Sequence, residues 1–256
     1  MLLHGFPQSS YEWRHLLPVL AEAGFRALAP DQRGYSPGAR PEEVEAYHVD
    51  QLVADALAIA DHLGWARFHL IGHDWGAVVG WTIAARHPER LRTLTVLSVP
   101  HPLAYVQALG SESGDQASRS RYIGLLQQEE LAERLLLAGE CAGLRALFAN
   151  TAFHDRPAMD HYVERLCDPA ALTAVLNWYR ALDLASIAGV GPVAVPTLYV
   201  WSTDDPAIGP EAAERTEYHM AGPYRFEVLE GVSHWIPEDV PDQLGPLVLE
   251  HLRLAQ

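Results

Sequence analysis

The sequence predicts an α/β fold, a mostly parallel sheet flanked by helices and interrupted by a helical insertion. Three observations predict it. Short apolar runs rich in β-formers alternate with longer stretches of helical period over the first hundred residues. The alternation stops from about His101 to Val190, where Leu- and Ala-rich segments contain no convincing strand, and it resumes at "VPTLYVWS". A chain of 256 residues can bury one substantial core, so one domain with an inserted subdomain is expected.

Taken in order, "MLLHG" and "FRALAPD" read as buried strands, and the stretch between them, from Ser10, carries a helix face at Trp13, Leu16, Leu17 and Leu20. The loop "RGYSPGARPEEV" is rich in turn residues and reads as an exposed connection. "VDQLVADALAIADHLG" is an amphipathic helix that ends at a glycine. Next come the strand "RFHLIG", a turn at Asp74, a helix to about His87 and the strand "LRTLTVLSV", which completes a βαβαβ unit. After the insertion the pattern predicts a strand at "VPTLYVWS", a helix near Glu211 to His219, a strand at "YRFEVLEG" and a last helix from about Val240. The expected division is therefore 1–100 and 191–256 for the core and 101–190 for a helical cap.

Composition excludes several functions. The formal charge of −15 repels polyanions, so neither nucleic acid nor an anionic membrane surface is an expected partner. No apolar run approaches the roughly 20 residues that span a bilayer. The first residues lack the basic and apolar segments of a secretory signal, which makes a cytoplasmic location the expectation. Cys141 and Cys167 fit no metal-ligand spacing and are expected as free thiols. The thirteen histidines show no i, i+4 metal pairing, and neither a metal nor a cofactor is expected.

Gly72, Asp74 and Gly76 stand where a strand turns sharply into a helix, a bend that lifts the central side chain to the carboxyl end of the sheet and turns backbone N–H groups toward it. Alone, an aspartate there is more often a helix cap. Two further groups follow in the order nucleophile, acid, histidine. Asp204 and Asp205 are adjacent in "VWSTDDPAIG", directly after a strand, and Asp205 is chosen as the acid. His234, in "EGVSHWIPED", lies in the loop after the next strand, from which its ring can reach both carboxylates. His73 reads as structural.

The motifs "HGFPQSSYEWR", "DQRGYS", "GHDWGA", "NWYR" and "GVSHW", in register along nearly the whole chain, resemble the epoxide hydrolase branch of the α/β-hydrolase family, with haloalkane dehalogenases as near relatives. The resemblance implies the α/β-hydrolase fold with an inserted helical cap and a small-molecule epoxide as substrate. It also implies Asp74 as nucleophile, Asp205 and His234 as the charge-paired base, and an oxyanion hole from the backbone N–H groups of Phe6 and Trp75. Two cap tyrosines hold the epoxide oxygen in that family. Tyr179 matches one and Tyr122 the other, with Tyr105 and Tyr162 as fallbacks.

A carboxylate in place of a serine changes the chemistry from acyl transfer to alkyl transfer, because it can displace a leaving group from saturated carbon and leave an ester that water cleaves. An alkoxide leaving group needs a proton donor with a pKa of roughly 10, which a phenol supplies, whereas a halide needs only N–H dipoles. Two alternatives stand beside the hydrolase of epoxides: a haloalkane dehalogenase, with indole donors from Trp75 and Trp178, or another hydrolase using Asp74, and a hydrolase-fold protein that binds without turnover. Members of the family usually carry two further strands before the His-Gly-x-Pro motif. This chain begins almost on that motif, so its sheet is expected to lack one edge, and a homodimer or a misassigned start would account for it.

Overall fold

In the computed structural model, which describes residues 1–148 and 155–254, five parallel strands form one sheet in the order β1-β2-β3-β4-β5. They are β1 (Leu2–Leu3), β2 (Phe68–His73), β3 (Leu91–Leu97), β4 (Thr197–Ser202) and β5 (Tyr224–Leu229). Three helices come before β3: α1 (Leu16–Glu22), α2 (Val49–His62) and α3 (Trp75–Arg86). Two of them show why they stop or start where they do. Past α2, Gly64 adopts a φ of 72° and Trp65 N–H returns to Ala60 O at 2.8 Å, a left-handed C-terminal cap that favours glycine. α3 starts directly on the turn at Asp74.

Between β3 and β4 the described residues form seven helices and no strand. These are α4 (Pro102–Leu109), α5 (Gln116–Arg119), α6 (Arg121–Leu126), α7 (Leu131–Ala146), α8 (Arg156–Leu166), α9 (Pro169–Arg180) and α10 (Leu184–Ala188). The expected cap range 101–190 also contains residues 149–154, which lie outside the described residues. α7 is broken by Ala138 to Cys141, whose backbone leaves the helical region. Asp168 caps α9 by accepting from Ala170 N–H, and Pro169 follows at the first helical position. After β4 come α11 (Pro210–Glu214), α12 (Ile236–Asp239) and α13 (Pro241–Arg253).

Period-2 alternation on the strands divides the interior in two. Ile71, Leu97, Leu198 and Val200 face a core closed by α1 and α13 through Leu16, Leu20, Leu244 and Val248. Leu70, Leu94, Val96, Tyr199 and Trp201 face the other, which runs through α2 and α3 into the helical insertion at Leu172, Val175 and Trp178. The insertion is thus packed onto the α2 and α3 side, where it covers the carboxyl end of the sheet.

Three expectations are corrected. "FRALAPD" is not a strand: among residues 25–31 Leu28 O accepts one bond from Leu2 N–H at 2.8 Å, and Pro30 has no N–H to continue a ladder. The helix expected over Glu211 to His219 divides into α11 and a 3₁₀ turn, Arg215–His219. Cys141 and Cys167 are not free thiols but a disulfide, with a Cα–Cα distance of 6.0 Å that a bridge spans without backbone movement. Sequence spacing hid this pair, because only the packing of α7 against α8 brings together two residues 26 apart.

Candidate active site

Steric demands at three glycines build the turn at Asp74. A methyl group on Gly72 would lie 2.3 Å from Gly76 O, one on Gly76 would lie 2.0 Å from Leu3 O, and one on Gly5 would lie 2.2 Å from Asp74 Oδ1. Asp74 itself has φ 51° and ψ −118°, a sparsely populated conformation for a residue with a side chain, held by the strand and helix on either side. Its carboxylate is buried, and Phe6 N–H donates to Oδ1 at 2.8 Å. The backbone N–H of Trp75 also lies against this carboxylate and helps to lower its pKa.

His234 bridges the two acids. Its Nδ1 lies 2.7 Å from Asp205 Oδ2, and its Nε2 lies 3.4 Å from Asp74 Oδ2. Asp205 is fully buried, and its second oxygen accepts from Ala207 N–H at 2.7 Å and Ile208 N–H at 3.0 Å. The neighbouring Asp204 is exposed and its carboxylate accepts from Thr203 Oγ1 at 3.4 Å, so Asp205 is the one that reaches the histidine. The main chain at His234 is fixed from behind: its carbonyl accepts from Ser98 Oγ at 2.8 Å and from His73 Nε2 at 2.9 Å. With Nε2 donating, His73 Nδ1 is an acceptor. Burial holds the His73 ring neutral, with its pKa down at about 4, and burial together with Glu238 pushes the Glu12 carboxyl well up, so a protonated Glu12 faces that nitrogen at 3.3 Å.

Burial disfavours charge on both His234 and Asp74, but each is rescued by its partners. For His234, the Asp205 charge and hydrogen bond and then Asp74 overcome burial and raise the pKa to about 10. For Asp74, the hydrogen bond and charge of His234 outweigh burial and pull the carboxyl below its ordinary value. The pair is therefore an imidazolium beside a carboxylate near neutrality.

Above Asp74 the helical insertion contributes phenols. Tyr179 on α9 is buried and held edge-on by Phe6 and Trp75, at centroid distances of 5.4 and 5.2 Å. Tyr122 on α6 meets Tyr179 edge-on at 6.3 Å. Both phenols are pushed well above the usual tyrosine value, first by desolvation and then by the Asp74 charge. Asp74, Tyr122 and Tyr179 line two apolar cavities that meet at the carboxylate, one walled by Val99, Ile123, Leu182 and Ile187, the other by Phe6, Leu147, Trp235 and His234.

All the expected site residues, Asp74, Asp205, His234, Tyr179, Tyr122, Phe6 and Trp75, thus meet at one place. Of the fallbacks, Tyr105 lines the first cavity but its hydroxyl donates to Ser120 Oγ at 2.8 Å, and the Tyr162 hydroxyl donates to Glu238. Trp178 does not offer its indole N–H to the cavity, since it donates to Arg33 O at 2.9 Å. Sequence reasoning missed the support of the histidine loop by Ser98, which belongs to no motif, and by Glu12, which lies within "HGFPQSSYEWR" and acts through His73. Among the described residues no group of three or more His, Cys, Asp or Glu side chains could hold a metal ion.

A family model described as alpha/beta hydrolase fold matches residues 1–241. Epoxide hydrolase A of Mycobacterium tuberculosis is 34% identical over 291 residues, covering 98% of this chain and 89% of that protein. Epoxide hydrolase 4 of Mus musculus is 31% identical over 261 residues, covering 99% and 72%. Among solved structures, epoxide hydrolase A from Mycobacterium thermoresistibile superposes with a TM-score of 0.85 at 30% identity, covering 98% of this chain and 90% of that one. A mutant epoxide hydrolase from Bacillus megaterium, complexed with a naphthyloxy-propane-diol product, superposes with a TM-score of 0.89 at 26% identity, covering 99% and 93%.

Proposed function

The chain belongs to the alpha/beta hydrolase fold family, and from that premise we propose that it is an epoxide hydrolase that turns an epoxide and water into a vicinal diol through an ester on Asp74. The observation that carries this reading is the division of labour at one carboxylate. Phe6 N–H holds Oδ1, which leaves Oδ2 beside His234 and under two phenols as the attacking oxygen.

In the first step Asp74 Oδ2 forms a bond to an epoxide carbon, the ring C–O bond breaks, and the alkoxide takes a proton from Tyr179 or Tyr122. Forming the ester removes the Asp74 charge, one of the causes that hold the phenols protonated, so they become better acids as the alkoxide appears. The same loss acts on His234. Without the hydrogen bond and charge of Asp74 its pKa falls, the imidazolium gives its proton to the tyrosinate left by ring opening, and the neutral ring, oriented by Asp205, becomes a base. Water gives a proton to His234 Nε2 and attacks the ester carbonyl. The oxyanion at Oδ1 is held by Phe6 and Trp75 N–H, a type of donor worth about 3 kcal/mol. Collapse breaks the acyl C–O bond and releases the diol, protonated from His234, and the Asp74 carboxyl then gives its proton to His234, which restores the starting ion pair.

In this reading residues 1–100 and 191–256 form the hydrolase core and 101–190 the cap. We place the enzyme in the cytoplasm; no described helix is long and apolar enough to cross a membrane. A homodimer is the assembly this reading expects, to be checked by light scattering. The function is tested by diol formation from a panel of aryl and alkyl epoxides with Asp74→Ala alongside: diol from the parent and none from the variant supports it, and a folded parent inert on the whole panel contradicts it.

A further inference from the structure

The Asp205 carboxylate is aimed by its own loop, since Oδ1 rests on the N–H groups of Ala207 and Ile208. That loop is held from two sides: Trp201 on β4 donates its indole N–H to Ile208 O at 3.2 Å, and the helical insertion holds the residues on either side of Ile208. Gln116, the first residue of α5 and 1% exposed, donates from Nε2 to Ala207 O at 2.7 Å and accepts at Oε1 from Gly209 N–H at 2.9 Å. Its other amide proton goes to Ser120 Oγ at 2.9 Å, an oxygen that also accepts from Tyr105. Three residues on, Arg119 Nη1 donates to the carbonyl of Asp205 itself while Nε pairs with Asp115 at 2.7 Å. Contact is too close for any side chain at the joint: a methyl group on Gly209 would lie 2.4 Å from Asp115 Oδ1, and one on Gly114 would lie 2.2 Å from Glu211 Oε2.

We propose that Gln116, supported by Arg119, is a positioning residue for the general base: by clamping the Ala207–Gly209 backbone to α5 it fixes the Asp205 carboxylate against His234 Nδ1. This rests on the reading of Asp205 and His234 as the base of the second step. The clamp touches neither Asp74 nor Tyr179, so it acts on ester hydrolysis more than on ester formation. A buried primary amide suits the task because it donates and accepts in one plane, whereas an apolar side chain of equal length leaves Ala207 O and Gly209 N–H unpaired.

The test uses the full chain with Gln116→Met and Gln116→Glu. Single-turnover reactions with styrene oxide separate formation of the Asp74 ester from its hydrolysis, and proton NMR of the free protein follows the downfield Nδ1 proton shared by His234 and Asp205. In Gln116→Met hydrolysis is expected to slow by roughly 10- to 100-fold, at least fivefold more than ester formation, and the downfield proton to broaden or vanish. In Gln116→Glu the hydrolysis rate relative to the parent should recover as the pH is lowered, because only the protonated carboxyl can donate to Ala207 O. Both steps and the downfield proton unchanged, with only thermal stability reduced, would overturn the proposal. Should Gln116→Met not fold, the pH-dependent rescue of Gln116→Glu decides the matter, and its absence counts against the clamp. A parent that forms no ester sinks the Asp74 reading instead, and the NMR arm still decides the clamp.

Discussion

His234 Nε2 stands 3.4 Å from Asp74 Oδ2 while its Nδ1 lies 2.7 Å from Asp205, so one imidazole faces the attacking carboxylate and the orienting one at the same time. In the proposed mechanism attack on the epoxide needs only the ionised Asp74, whereas cleavage of the ester needs the ring as a base. His234→Gln should therefore form the ester and stall. Mass spectrometry after incubation with a confirmed substrate should find the Asp74 peptide heavier by one substrate mass, and an unmodified peptide contradicts the two-step scheme.

In the proposed mechanism Tyr179, which is buried, and Tyr122, which is partly exposed, supply the protons for ring opening, and the Asp74 charge helps to keep both phenols undissociated at neutral pH. Tyr179→Phe and Tyr122→Phe should each slow ester formation by roughly 10²-fold, the effect of removing one preorganised donor. Hydrolysis of ester already formed should change little. A dehalogenase would release halide with indifference to Tyr179→Phe, and Trp178, committed to Arg33 O, is not available to it as a halide donor.

Burial holds His4 and His73 neutral down to a pKa of about 4, while in the unfolded chain they titrate near 6.5. Between those values the unfolded state binds protons that the folded state refuses, so stability should fall as the pH drops from 6.5 to 4, by on the order of 3 kcal/mol per histidine. His234 has the opposite sign. Its raised pKa contributes stability below 6.5 that is lost as the pH rises toward 10. Calorimetric Tm values should peak near neutrality and decline on both sides, and a flat profile from pH 7 to 4.5 contradicts the burial of those rings.

The Cys141–Cys167 bridge closes a loop of 26 residues and should contribute about 3 kcal/mol by restricting the unfolded chain. Cys141→Ala with Cys167→Ala should lower the denaturant midpoint accordingly. That contribution belongs to the oxidised protein alone, so the double variant and the parent kept reduced, as cytosolic glutathione and thioredoxin would keep it, should share one midpoint; a reduced parent as stable as the oxidised one contradicts it.

The parts of the site legible in the sequence are those whose physics is local. Gly72-x-Asp74-x-Gly76 announces itself because the turn has no room for two Cβ atoms, and strands β2 to β5 announce themselves by short runs rich in β-formers. The choice between Asp204 and Asp205 depends on which carboxylate the loop turns inward, and no local pattern decides that. Edge pairing at Phe25 to Asp31 depends on a neighbouring strand, so residue propensity overstated it. The disulfide and the Gln116 clamp were illegible for one reason: each joins residues whose proximity exists only after the insertion packs, across 26 positions for the cysteines and 91 from Gln116 to Ala207.

The most direct test follows the oxygen atoms. With enzyme in excess over epoxide in H₂¹⁸O, a single turnover should yield diol whose new hydroxyl carries unlabelled oxygen, because that atom is Asp74 Oδ2, and the label should appear in the Asp74 peptide. Labelled diol in the first turnover, with Asp74 unlabelled, would mean that water attacks the epoxide directly and would contradict the ester on Asp74.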